Sequence, residues 1–184
     1  LHDYNIILND WTSPYTERTL ISVSNLYLKQ KKYNEATQLL KKLELTSEYK
    51  ANYGFAINNL MVSYFQIGDY KEALNYTNAV KNYEKSSEEE IANAFLYAGK
   101  CYVKQNKKTE AMKEFSLAAL KSRTVFGAEA KYNVAVLQLE NKQYDACIKT
   151  AMDLSDNFSS YEYWVAKSFI TMADAYAGKG DTFQ

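Results

Sequence analysis

Apolar residues return along the chain every three or four positions, the spacing that lines them up on one stripe of an α-helix. Leu20, Val23 and Tyr27 make one such stripe, and Ile57, Leu60 and Tyr64 make another. Short polar breaks interrupt the pattern at Lys31-Lys32, Gly68-Asp69, Asn106-Lys107 and Lys142-Gln143. Three pairs carry the capping-box signature of a helix start: Asp69 with Glu72, Ser87 with Glu90, and Ser159 with Glu162. In that motif two side chains accept hydrogen bonds from amides that have no partner within the helix. Ser13-Pro14 sets a capping residue before a proline, which tolerates the first helical position. The pattern predicts paired helices joined by tight polar turns.

The pairs recur at a fixed period. A small residue follows each break, at Ala36, Ala73, Ala111 and Cys147, with gaps of 37, 38 and 36 residues. Twelve positions earlier stand Ser24, Met61, Gly99 and Ala135. Three further on come Tyr27, Tyr64 and Tyr102, a rule the fourth unit breaks with Gln138. Ala173, Tyr176 and Gly180-Asp181 open a fifth round, whose small residue would fall just past Gln184. The expectation is four full repeats, at approximately 17–46, 50–85, 88–122 and 127–157, and a truncated fifth at 161–184. Residues 1–16 are expected to be the tail of a preceding element and a helix cap. Where two helices cross closely, one must supply a small residue and the other bulk. Gly99 and Ala111 suit the first role, and Tyr102 or Phe115 the second.

The stretch Ile67-Gly-Asp-Tyr-Lys-Glu-Ala-Leu-Asn-Tyr76 resembles the central turn and second helix of the tetratricopeptide repeat. Phe95-Leu-Tyr-Ala-Gly-Lys-Cys-Tyr102 resembles its first helix, and the likeness runs from about Glu17 to Gln184. Two features depart from the family, whose unit is about 34 residues. The units here are longer, and no full unit ends with the usual proline. The resemblance implies an all-α fold: one right-handed superhelical solenoid of antiparallel helix pairs, nine or ten helices in all. A finer likeness joins Tyr161-Glu-Tyr-Trp-Val-Ala-Lys-Ser-Phe169, Ala173 and Lys179-Gly-Asp-Thr-Phe-Gln184 to long multi-repeat proteins of Gram-negative bacterial cell envelopes. Some of those work beside outer-membrane lipoproteins and the Tol–Pal machinery. That likeness implies a periplasmic or outer-membrane-associated location, with a cytoplasmic one left open.

Composition narrows the function. Of 184 residues, 47% are hydrophobic and 15% aromatic, enough to bury a core. Lys and Arg number 22 against 22 Asp and Glu, so no net field draws in nucleic acid. No apolar run reaches the roughly 20 residues of a membrane span. The opening Leu-His-Asp-Tyr lacks both Met and a secretory leader, so the chain is expected to be a piece of a longer protein. His2 is the one histidine, which leaves no Ser–His or Cys–His pairing at helical positions and too few ligands for zinc. Cys101 and Cys147 sit in apolar helical stretches and are expected to be buried thiols rather than a disulfide. Gly178-Lys-Gly180 lacks the phosphate-loop spacing and is expected to be the turn of the fifth repeat. Ser87-Glu-Glu-Glu90 is expected to be a charged first turn complementing the helix dipole. Neither an enzyme nor a cofactor or metal site is therefore expected.

Seventeen tyrosines invite two readings, core packing and ligand stacking. Tyr27, Tyr33, Tyr64, Tyr70, Tyr102, Tyr144 and Tyr176 stand at equivalent packing positions, which favours the first. By the resemblance, ligand-facing positions on each first helix lie three before and one, four and five after its small residue. They are Ile21, Asn25, Leu28 and Lys29; Asn58, Val62, Phe65 and Gln66; Leu96, Lys100, Val103 and Lys104; and Tyr132, Val136, Leu139 and Glu140. Phe65, Val103 and Leu139 stand equally well as packing residues between repeats. Relatives that grip chaperone tails use two asparagines and three basic residues. Asn25 and Asn59 are present, but Ile21, Asn93 and Tyr97 replace the basic set, so that ligand is not expected. The expected function is a non-catalytic scaffold binding a peptide or partner helix on its concave face. The alternatives are a structural spacer in a longer repeat protein, a glycan-binding module, and self-association through open solenoid ends.

Overall fold

The protein is described by a computed structural model covering residues 16–181, which form nine α-helices and no strands. In order they are α1 Thr16–Lys29, α2 Tyr33–Thr46, α3 Lys50–Ile67, α4 Tyr70–Asn82, α5 Glu88–Lys104, α6 Lys108–Lys121, α7 Val125–Glu140, α8 Tyr144–Asn157 and α9 Glu162–Lys179. His2 and the Ser13-Pro14 cap lie outside the described residues. The chain divides into two compact units, Leu1–Ser86 and Ser87–Gln184. Each unit is built from hairpins in which a helix packs on the next one in the chain.

One device closes the first helix of each repeat. Lys31, Gly68, Asn106, Lys142 and Gly180 each have positive φ, between 57° and 92°. After each, the next amide reaches back over five residues: Lys32 to the Tyr27 carbonyl, Asp69 to Tyr64, Lys107 to Tyr102, Gln143 to Gln138, and Asp181 to Tyr176, all at 2.9–3.0 Å. This satisfies a carbonyl that the helix end leaves without a donor. Glycine enters such a turn without strain, whereas Lys31, Asn106 and Lys142 carry a left-handed side chain. The expected turn at Gly178-Lys-Gly180 is refined accordingly. Gly180 makes it, while Gly178 still lies within α9, where an added Cβ would stand 2.5 Å from the Tyr144 ring.

The same bonds explain two corrections to the expected caps. Asp69 accepts from the Glu72 amide, but its own amide is already committed to Tyr64, so Glu72 does not close a box and instead accepts from Asn75. Ser159 caps nothing: the chain turns at 158–161, and Tyr161 precedes α9 without a side-chain cap. Ser87 and Glu90 do form the complete reciprocal box.

In unit 1, Leu20, Leu43 and Ala56 share a core with Ile21, Leu39 and Phe55. The second helices α2 and α4 keep their backbones apart, and side chains bridge them. Lys41 Nζ donates to the Tyr76 hydroxyl at 2.6 Å, which donates to Glu44 Oε2 at 2.8 Å. Tyr64 stacks on the Tyr76 ring with centroids 5.5 Å apart.

In unit 2, Leu96, Ala111, Phe115, Ala118, Ala130, Val134 and Leu137 form the core of α5–α7. Gly99 is required by Phe115, whose ring would collide with an added Cβ. That is the small-against-large crossing expected from the sequence. A second cluster joins Ala135, Cys147, Ile148 and Ala175 across α7, α8 and α9. The first helices α5, α7 and α9 pack side by side, while the backbones of the second helices α6 and α8 do not touch.

Candidate partner-binding face

Within unit 2 the row α5, α7 and α9 presents one stripe of half-buried polar and aromatic residues. On α7 it borders a small core of Ala128, Leu154 and Phe158, on which Tyr132 and Trp164 pack, while Ala130, Val134 and Leu137 face the α5–α6 side. Lys100 on α5 pairs with Glu129 on α7 at 2.7 Å and lies 4.8 Å above the Tyr97 ring. On the next step of the row, Tyr132 meets Trp164 with ring centroids 5.4 Å apart, and Tyr163 meets Trp164 edge-on at 4.9 Å. The Lys167 ammonium sits among these rings, 4.9 Å from the Tyr132 centroid, 5.2 Å from Tyr163 and 5.4 Å from Trp164. No carboxylate stands within ion-pair distance of it among the described residues. Ring faces thus provide its electrostatic partner.

The positions taken from the family pattern meet different fates. Leu96 is a correction: it is 1% exposed, enclosed by α6 and α7 as part of the core, and cannot face a ligand. Lys100 and Tyr132 join the polar–aromatic row. Val136 is half-buried on the same stripe, and Lys104 is exposed at the end of α5. Glu140, the last residue of α7, is held by Lys108, the first residue of α6, 2.8 Å away. Leu139 packs beside Ala135 and Cys147, whereas Val103 is exposed.

In unit 1, Asn25 is half-buried, and Lys29 and Gln66 are exposed. Asn58 donates to the Gly54 carbonyl of its own helix at 3.1 Å, and Asn59 does the same to Phe55 at 2.8 Å. Val62 is half-buried, and the Phe65 ring rests against Tyr70 at 5.7 Å, bracing its own turn. Ile21 packs on the unit 1 core. The family pattern missed Glu129, Tyr163, Trp164 and Lys167. The signal for the last three was present: an aromatic pair followed by a lysine three and four positions on shares one helix face.

Two features bear on chemistry. Cys101 and Cys147 are free and buried, as the sequence implied. Burial pushes the Cys101 thiol up to about 12 and also raises Cys147, so neither supplies a thiolate near neutral pH. Among the described residues no three His, Cys, Asp or Glu side chains converge in a metal-binding group. No described helix is long and apolar enough to cross a membrane.

Residues 93–121, spanning most of α5 and α6, match the tetratricopeptide repeat family. The crystal structure of MamA protein superposes with a TM-score of 0.70 over 92% of this chain and 86% of that one, at 16% identity. That of BtubC (BKLC) from P. vanneervenii gives 0.72 over 98% and 80%, at 14% identity. At these identities the likeness speaks for the fold. No curated protein sequence matches the chain. Matched segment, turns and helix pairs together give the chain an all-α fold like that of tetratricopeptide repeats.

Proposed function

We propose that the chain is a scaffold that binds a peptide or helix of another protein on its first-helix faces, with unit 2 providing the anchor. Repeats of this class generally mediate protein–protein contacts. The observation that carries the reading is the group of Tyr132, Tyr163 and Trp164 around Lys167. Trp and Tyr are the side chains that most often dominate binding energy, because they bury large rigid surfaces at low entropic cost. A lysine whose charge meets rings rather than a carboxylate offers an acidic partner residue its first ionic contact. Asn25, Lys29, Asn58, Val62, Phe65 and Gln66 are retained as the unit 1 part of the proposal.

The test is selection of binders from a random peptide library on the folded chain. Acidic peptides with aromatic or aliphatic residues are expected, and Trp164→Ala should weaken them about 30-fold, as for a hot spot of about 2 kcal/mol. Lys167→Glu should abolish the acidic preference. Peptides that bind both variants as well as the parent would overturn the reading.

A second reading, a segment that packs against further helices, is favoured by α9. Ala173 is exposed there, whereas its equivalents Ser24, Met61, Gly99 and Ala135 are buried. Self-association through that face is read out by sedimentation across a concentration series. The envelope location is likewise a proposal, tested by fractionating cells that express the intact gene.

A further inference from the structure

The side of unit 2 formed by its second helices holds a cavity, where the matching place in unit 1 is bridged by side chains. The turn register places Lys41 of α2 on Ser116 of α6, Glu44 on Ala119, and Tyr76 of α4 on Thr150 of α8. The assignment is supported by burial. Leu40 and Phe115 are both core residues, as are Leu43 and Ala118, while Leu45 and Leu120 are both exposed, at 81% and 83%. In unit 1 these positions carry the bonded bridge of Lys41, Glu44 and Tyr76. In unit 2 the substitutes are too short to meet, and a cavity of about 390 Å³ opens beside Ser116 and Ala119.

Its other walls carry chemistry. Val134 and Phe158 form an apolar floor, both nearly inaccessible. Lys131 is neutralised by an ion pair with Asp153, whose second oxygen accepts from Asn157 Nδ2 at 2.8 Å. Lys131 holds the Asp153 carboxyl below its ordinary range, so that pair stays charged. Arg123 differs. Its guanidinium lies 5.4 Å from the Phe158 centroid and has no carboxylate in ion-pair range among the described residues. A guanidinium held near a ring, with no carboxylate in ion-pair range, keeps N–H donors for a planar anion. The cavity therefore sets two cations, Arg123 and Lys131, against the single Asp153 carboxylate beside an apolar floor, in the size range of small-molecule sites.

We propose that this cleft binds a small organic acid, a carboxylate carried on an apolar or aromatic group, with the carboxylate on Arg123 and the tail over Val134 and Phe158. Phe158 also belongs to the core on which Tyr132 and Trp164 pack, but the cleft is entered beside Ser116, Ala119 and Arg123, and the proposal does not rest on the first-helix reading.

The experiment titrates the isotopically labelled chain with N-acetylphenylalanine and with its neutral amide, following backbone amide resonances. Saturable shifts are expected at Ser116, Ala119 and Asn157. The amide should bind about tenfold more weakly, the loss of one charge-assisted hydrogen bond. Arg123→Gln should reduce the acid to the level of the amide. The triple change Ser116→Lys, Ala119→Glu and Thr150→Tyr transplants the unit 1 bridge and should silence the response. Equal titration by acid and amide, shifts confined to other residues, or full binding by Arg123→Gln would overturn the proposal. So would full binding by the triple variant with its helical circular dichroism intact. If the triple variant does not fold, Arg123→Gln alone decides, because that side chain is exposed. A capped Gly-Glu-Phe-Gly peptide separates the sources. Comparable binding assigns the carboxylate to a protein side chain, and binding by the free acid alone assigns it to a small metabolite.

Discussion

In unit 1 Lys41, Glu44 and Tyr76 bridge α2 and α4, whereas in unit 2 Ser116 and Ala119, the counterparts of Lys41 and Glu44, border an open cavity. The period, the turns and the buried small residues are common to both. The difference therefore lies in side chains that the repeat itself does not constrain. A similar exchange runs through the cores. Gly99 faces Phe115 in unit 2, while the second repeat of unit 1 has Met61 at the glycine position and Thr77 at the phenylalanine position, all buried. Bulk can sit on either helix of a crossing so long as the total volume is held.

The strongest test of that comparison is to exchange the two solutions. Phe115→Thr alone should cost about 3–5 kcal/mol, the usual penalty for truncating a buried phenylalanine. Gly99→Met alone should cost about 1–3 kcal/mol through overpacking, and the double variant should lose less than the two losses combined. Urea unfolding measures all three, and strict additivity would refute the compensation. Next in size, Ala73→Leu in unit 1 and Ala111→Leu in unit 2 should each cost about 1–3 kcal/mol, because both alanines are wholly buried at helix crossings. Unchanged melting curves would disprove the common register.

Tyr76→Phe removes the centre of the unit 1 bridge and should cost about 1 kcal/mol. Hydrogen exchange should show the loss on α2 and α4 and leave α6 and α8 as they were. The same residue gives unit 1 a pH dependence. Burial, helped by donation to Glu44 and opposed by Lys41, pushes the Tyr76 phenol from 10.0 up to about 12. Its contribution is thus complete below pH 10, where both folded and unfolded chains hold the proton. It is lost as pH rises toward 12, because the unfolded chain gives the proton up first. Thermal melts across that window should fall in the parent and flatten in Tyr76→Phe. The smallest effect belongs to the turns. Lys142→Gly should raise stability by up to about 1 kcal/mol by relieving a left-handed side chain, and Gly68→Ala should lower it by a similar amount.

The helix pairs are legible because two periods coincide in this sequence. Apolar spacing marks the helices, and the recurrence of Ala36, Ala73, Ala111 and Cys147 marks the pairing. The turns are visible as breaks, although Lys31, Asn106 and Lys142 do not announce positive φ as Gly68 does. The capping signature holds where the amides are free, at Ser87, and fails at Asp69, where a backbone bond has already used the donor. The site is less legible. A family pattern specifies positions on one helix, but Leu96 is decided by α6 and α7, which cover it. The spacing puts Lys167 on one face with Tyr163 and Trp164, but its meeting with Tyr132 depends on α7 packing on α9, a relation between residues 35 apart that no local spacing reports. The open cleft is hidden for the opposite reason. Its signature is the absence of three bulky side chains, and small residues on a helix surface look ordinary until their counterparts are seen in contact.

The bond that closes each turn also has a kinetic meaning. It joins residues five apart in sequence, and within each unit every helix then packs on the one just before it. Chains whose contacts are this local lose little entropy in finding them, and they fold in microseconds to milliseconds. Each hairpin can therefore close as soon as its own residues have left the ribosome, before the next pair has been synthesised.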